Sequence, residues 1–427
     1  MTTQPSMMRR CGLAARVLAG VALACVAATS GVWSRTDSSA ATAETLVMAD
    51  PVDHLDVRAR EPMVVEHPDG TLFVSGFGEL VPTLWKSRDH GATWSRVNVG
   101  TEADGAIGNS DVDLAVARDG TLYFATMLFD RKTGEGMSVS VGVSKDLGGT
   151  WSWTLLSKDR FDDRPWVDVA ADGTVHVIWN DGSGVCHAVS KDRGRTWSER
   201  PRIHPQGGSS YLAVGPNRHV AVRVTPGSAS GNKFDEGVDL LAVSTDGGTT
   251  WQKHAAPGSR EWSADTFNPE SFPRWVEVIA WDARGALYSF WTNRQGLWLA
   301  RSVDQGGTWT SWRVAEGDEL AYFPYLIARG QGELWATWFS GRGETLKAHV
   351  ARFNVSDKKP PQMITGPPFQ PDSWRSNPNA PDSPIRDTAG EYLATTFLRG
   401  GGIAVVSPIQ DARKQRFGFS WRRVALR

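Results

Sequence analysis

Ser302-Val303-Asp304-Gln305-Gly306-Gly307-Thr308-Trp309 is one of five copies of a single pattern, Ser-x-Asp-x-Gly-x-Thr-Trp. The others begin at Ser87, Ser144, Ser190 and Ser244 and end at Trp94, Trp151, Trp197 and Trp251. A shorter string, Gly418-x-Ser420-Trp421, reads as a degraded sixth copy. Each residue type suits a tight turn. Ser and Asp oxygens accept backbone N–H groups, Gly admits a positive φ, and Trp anchors the turn in a core. The boxes recur one per unit at equivalent outer positions, so their carboxylates do not converge on a catalytic or calcium site.

The box tryptophans are spaced by 57, 46, 54, 58 and then 112 residues. The last gap is twice 56, which places one eroded unit near Ser356-Asp357 and makes seven units of about fifty residues, a period of propellers and solenoids. Upstream of most boxes lies a hairpin signature. Val64-Val65 leads through Asp69-Gly70 to Thr71-Leu72-Phe73-Val74, and the same order recurs around Asp119-Gly120 and Asp172-Gly173, with Arg284-Gly285 in the fifth unit. Gly70, Gly173 and Gly285 each precede their box Trp by 24 residues. Each unit therefore reads as strand, tight turn, strand, loop, strand, box, strand. The expected fold is an all-β propeller of four-stranded blades, with seven units counted and six blades as the alternative. Residues 44–60 either add a strand or lead in.

Composition agrees. The chain has 427 residues with 44 Gly and 20 Trp, and 46 basic side chains face 47 acidic ones. A hydrophobic content of 40% with 22% charged residues excludes wholesale disorder and a polytopic membrane protein. A formal charge of -1 argues against nucleic acid as a partner. Arg9-Arg10 followed by the apolar run from Val17 to Thr29 has the order of a secretory signal. Residues 1–43 are thus expected to be a leader and 44–427 the propeller, secreted or periplasmic, with lipid anchoring at Cys25 as an alternative and no transmembrane span in the mature chain. Cys186 is then the one cysteine of the mature chain, read as a small hydrophobe buried in a strand. The nine His are scattered, and neither a metal site nor a cofactor is expected.

The boxes resemble the Asp-box (BNR) repeats of bacterial sialidases and related propellers, over nearly the whole stretch from about residue 60 to 425. That resemblance implies an active face carrying the loops between blades and those after the second strand. Asp130-Arg131, Asn293-Arg294, Gly341-Arg342 and Leu398-Arg399 then place arginines near second-strand ends. Guanidinium forks suit carboxylates, so Arg294, Arg342 and Arg399, with Arg60, are expected to point into one funnel that binds an acidic glycan. Arg60-Glu61-Pro62 stands where sialidases carry an arginine of the substrate-gripping triad. Asp163-Arg164-Pro165-Trp166 and Phe272-Pro273-Arg274-Trp275 look like variants of the same opening, which adds Arg164, read equally as a structural clamp. The resemblance further implies a tyrosine nucleophile with a Glu that takes its proton, and an Asp acid. Tyr325, Glu319 and Asp111 are the candidates, with Asp163 as a second acid and Tyr325 equally readable as core. Two features depart from the family: Gly78-Glu79-Leu80 where an acid-bearing loop is expected, and seven units instead of six. The function expected is a sialidase-like glycoside hydrolase acting as a monomer. A non-catalytic glycan- or protein-binding propeller and a polysaccharide lyase are the alternatives.

Overall fold

In the computed structural model seven antiparallel sheets surround a central axis. The structure describes residues 44–182, 184–205, 209–225, 239–258, 276–293, 296–315, 321–341, 345–357, 359–371, 390–411 and 415–427, all within the unit Glu44–Arg427. The first blade shows the plan: Arg60–Glu66, Leu72–Phe77, Thr83–Ser87 and Ser95–Arg96 pair in chain order. The first strand of every blade touches the first strand of the next, so these strands line the centre. They are Arg60–Glu66, Ser110–Val116, Asp163–Val169, Ser209–Val214, Val278–Trp281, Ala321–Arg329 and Thr395–Phe397. Second strands lie between two neighbouring sheets and bury both faces. This explains why Leu72–Phe77 and Val175–Asp181 are continuous buried runs with no polar alternation. Among the described residues the helical content is one 3-10 turn, Glu102–Asp104.

The boxes are turns between third and fourth strands, as their chemistry requires. Ser87 Oγ donates to Asp89 Oδ1 (2.8 Å) and accepts from Gly91 N (2.8 Å), while Thr93 N donates to Asp89 Oδ1 (2.9 Å). The pattern repeats around Asp146, Asp192, Asp246 and Asp304. The carboxylates are spent on the turn. Hydrogen bonds from Thr93 and Thr308 lead the set that holds Asp89 and Asp304 down to about 2. Glycine is obligatory at Gly91, whose φ is +86° and where a Cβ would come within 2.0 Å of the Trp421 ring.

Ring closure decides between the two expectations for residues 44–60 and corrects the one for Trp421. Residues 44–60 do form strands. Leu46–Met48 and Val52–Leu55 both pair with the last strand, Arg416–Leu426, with Leu46 opposite Leu426 and Val52 opposite Trp421. The seventh blade is thus completed by the start of the propeller. Trp421 is therefore no box remnant. It lies inside the third strand of that blade, and its Nε1 donates to Gly91 O (2.7 Å) of the first blade. The sixth blade does turn at Ser356-Asp357, where the eroded unit was expected.

A candidate site at the centre of the propeller

The inner strands share a local distortion at their first residues. In the first, third and sixth blades the register slips between Arg60 and Met63, Asp163 and Trp166, and Tyr322 and Tyr325. At each slip the residue before a proline adopts a left-handed φ: Glu61 (+43°), Arg164 (+51°) and Phe323 (+50°). Proline disfavours the helical region for its predecessor, and positive φ is costly for a side chain, so these are strained bulges. Counted back from the hairpin turn, Glu61 and Arg164 are equivalent, and so are Arg60 and Asp163. The second blade bulges in the same register between Ser110 and Val112, which puts Asp111 level with Glu61.

These positions meet at one end of the channel. Arg164 Nη2 donates to Glu391 Oε1 (2.8 Å) and Nη1 to Glu391 Oε2, while Arg164 Nε lies 3.5 Å from Asp163 Oδ2. Burial opposes the charge on Arg164, but Glu391 and Asp163 more than offset it and hold the guanidinium protonated. Glu61 hydrogen-bonds Asp111. Burial, then the charges of Asp111 and Glu391, push the Glu61 carboxyl well above its usual range. Burial does the same to Asp163, with Asp111 and Glu391 adding to it and Arg164 opposing. Glu61 is 4% exposed, Asp163 6%, Arg164 8% and Glu391 6%, whereas Asp111 and Arg60 are half-buried and form the mouth.

Beneath the carboxyls lies a closed ring of four aromatic side chains. Trp166 contacts Tyr211 (4.7 Å between centroids), Tyr211 contacts Tyr325 (6.2 Å), Tyr325 contacts Tyr392 (6.1 Å) and Tyr392 returns to Trp166 (5.6 Å). Tyr211 and Tyr325 are hydrogen-bonded, and burial keeps both phenols protonated. Asp113 and Asp168 stitch the wall. Asp113 Oδ2 accepts from Val167 N (2.8 Å) and Asp168 Oδ2 from Val214 N (2.8 Å), each bridging to the next inner strand. The arrangement combines a proton-holding carboxyl, a carboxyl beside it, two guanidiniums and an aromatic floor. Among the described residues no cluster of His, Cys, Asp and Glu has metal-binding geometry.

Of the residues nominated from sequence, the structure brings together Arg60, Asp111, Asp163, Arg164 and Tyr325. Glu319, Arg294 and Arg342 lie outside the described residues, as does Arg274. Arg399 is a correction. It sits between the first and second strands of the seventh blade, because the closing strands shift that blade's strand count, and its N donates to Glu66 Oε2 (2.5 Å) at the opposite end of the channel. Gly400-Gly401-Gly402 lies in the same turn. Four residues of the cluster escaped the sequence reading: Glu61, Glu391, Tyr392 and Trp166. The repeated x-Pro opening was a usable signal for Glu61, since it stands where Arg164 stands. Cys186 is buried in a strand, with its Sγ donating to Asp181 Oδ2 (3.3 Å).

The sequence matches the family model described as a BNR repeat-like domain over residues 21–336. No curated protein matches it at a significant level. Among solved structures, Ycf48 from Cyanidioschyzon merolae aligns at 14% identity with a TM-score of 0.50, covering 88% of this chain and 99% of that one. The Hadza microbial sialidase Hz136 aligns at 16% identity and 0.43, covering 72% of this chain, which spans 65% of the sialidase. A polysaccharide lyase, the PL25 ulvan lyase, aligns at 10% and 0.48, covering 87% and 95%. Identities this low speak to fold alone. The five boxes, the seven-bladed ring they build and the match across most of the chain together make this protein a member of the BNR repeat-like family.

Proposed function

We propose that this chain is an exported propeller that acts on glycans at the channel end where the inner strands begin, with Glu61 as proton donor and Asp111 as its partner carboxyl. One observation carries the reading: the buried Glu61 carboxyl hydrogen-bonds the half-buried Asp111, with the half-buried Arg60 next to it in the chain. Glycosidic cleavage needs a proton delivered to the leaving oxygen and a second carboxyl to activate water or steady the cationic centre. Two carboxyls whose environments differ are suited to that division of labour. The aromatic floor offers apolar surface to a sugar ring. Among the described residues four carboxyls stand with two guanidiniums, so no excess of positive charge awaits the acidic sugar that the arginine-bearing loops suggest. Arg164 is already engaged by Glu391, which leaves Arg60 among the described residues to meet a sugar carboxylate. The order of Arg9-Arg10 and the apolar run from Val17 to Thr29 supports export.

The test is a panel of neutral, amino and acidic aryl glycosides with purified protein, read as released aglycone across pH 4–8, beside direct binding of the matching oligosaccharides. Turnover of any member, lost in Glu61→Gln, supports the reading. Binding without turnover assigns a lectin-like propeller. Neither binding nor turnover overturns it.

A further inference from the structure

Resting on that reading, we propose that the subsite at Glu61, Asp111 and Asp163 takes a protonated amine, so that the glycan this site acts on carries a free amino group. The charge count is the first observation. Glu61, Asp111, Asp163 and Glu391 converge with Arg60 and Arg164, and Arg164 gives both its outer nitrogens to Glu391 and faces Asp163 with Nε. Its charge is satisfied inside the protein.

The second observation is independent of charge. Among the described residues Glu61 Oε2 is buried and receives no hydrogen bond, and Asp163 Oδ2 meets only Arg164 Nε, at 3.5 Å and outside hydrogen-bond geometry. Both side chains are more than nine-tenths buried. A buried carboxyl oxygen without a donor is costly and points to a missing partner. An ammonium brings three donors and a positive charge, whereas a sugar hydroxyl brings one donor and a carboxylate none. Charge-assisted bonds of this kind are the stronger class. The aromatic floor of Trp166 and Tyr392 adds a surface favourable to a cation.

Binding should be linked to protons in a direction that separates the alternatives. The groups facing Glu61 are Asp111, Glu391, Arg60 and Tyr392, and those facing Asp163 are Arg164, Asp111 and Glu391. A cation arriving among them favours an ionised Asp163, so a proton leaves there while Glu61 keeps the one it donates. An anion would favour the protonated forms, and protons would be taken up.

The experiment is calorimetric titration of the full protein at pH 6 with three probes: a fully de-N-acetylated chitosan trimer, its N-acetylated counterpart and sialyllactose. Each is run in two buffers of different ionisation heat, with cyclohexylammonium as the bare amine. The expected result is binding of the de-N-acetylated trimer about tenfold or more tighter than the N-acetylated one, with proton release. Glu61→Gln and, separately, Asp163→Asn should erase the preference. Equal affinity for the two trimers, or tighter sialyllactose binding with proton uptake, overturns the amine and leaves the glycan reading standing. Binding of cyclohexylammonium with proton release, but of no oligosaccharide, sustains the amine subsite and overturns the glycan reading. Binding of none overturns both.

Discussion

Arg164 of the third blade holds Glu391 of the seventh across the channel, with Nη2 donating to Oε1 at 2.8 Å. The two are 227 positions apart, and the bond ties blades that are not neighbours in the ring. Both are at least nine-tenths buried, so the pair is a fixed part of the site floor. It also explains why an arginine at the centre does not by itself make an anion site.

That pair gives the first prediction. Removing one partner leaves an uncompensated buried charge, so Arg164→Met should cost about 3–5 kcal/mol. The double change Arg164→Met with Glu391→Leu should recover much of that loss. Chemical denaturation of the two single variants and the double closes the cycle. Additive losses would mean that the residues do not act as a pair.

Ring closure gives the second. Gly91→Ala combines a left-handed φ with a collision against Trp421, and should cost about 2–5 kcal/mol. Gly70→Ala has a φ of +93° but meets nothing within 4 Å, and should cost about 1–2 kcal/mol. Equal losses in thermal denaturation would remove the seam from the explanation.

A third concerns the strands that complete the seventh blade. Deleting residues 44–57 strips Arg416–Leu426 of both its outer partners and exposes an unpaired edge. Such a truncation should lower Tm by several degrees and promote association, seen in light scattering. A truncated chain as stable and monodisperse as the intact one would contradict the closure.

Acid stability is the fourth, and its sign has two parts. Box carboxylates such as Asp304, held at about 2, stabilise the fold above the ordinary carboxylate range, and that contribution is lost as pH falls toward 2. Buried carboxyls work the other way. Burial raises Asp162 and Asp168 to about 6 and pushes Glu61, Asp113 and Asp163 well above the usual carboxylate range. In that window the native state binds more protons than the unfolded one, so stability falls as pH rises from about 4 toward 6 and above. Tm should therefore peak in mildly acidic buffer, and Asp168→Asn should flatten the fall between pH 4 and 7. A maximum at pH 8 would contradict the assignment.

The fold was legible where its chemistry is local. A box needs only eight consecutive residues, and an Asp-Gly hairpin fewer, so both survive as strings. Closure was not legible, because Leu46 and Leu426 meet only after the ring forms, and Trp421 imitated a box Trp by its spacing. The site was half legible. Arg60-Glu61-Pro62 and Asp163-Arg164-Pro165 were visible as one opening, but aligning them on arginine hid that Glu61, and not Arg60, occupies the position equivalent to Arg164. The left-handed bulge is what brings the middle residue of each opening together, and composition carries no trace of it. Glu391 and Tyr392 have no motif around them and become visible only through the side chains they touch.

The account stands most directly on Glu61. In steady-state kinetics with whichever glycoside the panel identifies, kcat/KM of the unaltered protein should fall as pH rises and Glu61 gives up its proton. Glu61→Gln should lower kcat by about 10²–10⁴, because the amide keeps the shape and loses the transferable proton. A Glu61→Gln protein that turns over at the unaltered rate, with the same alkaline limb, would contradict the assignment of this centre as the catalytic site.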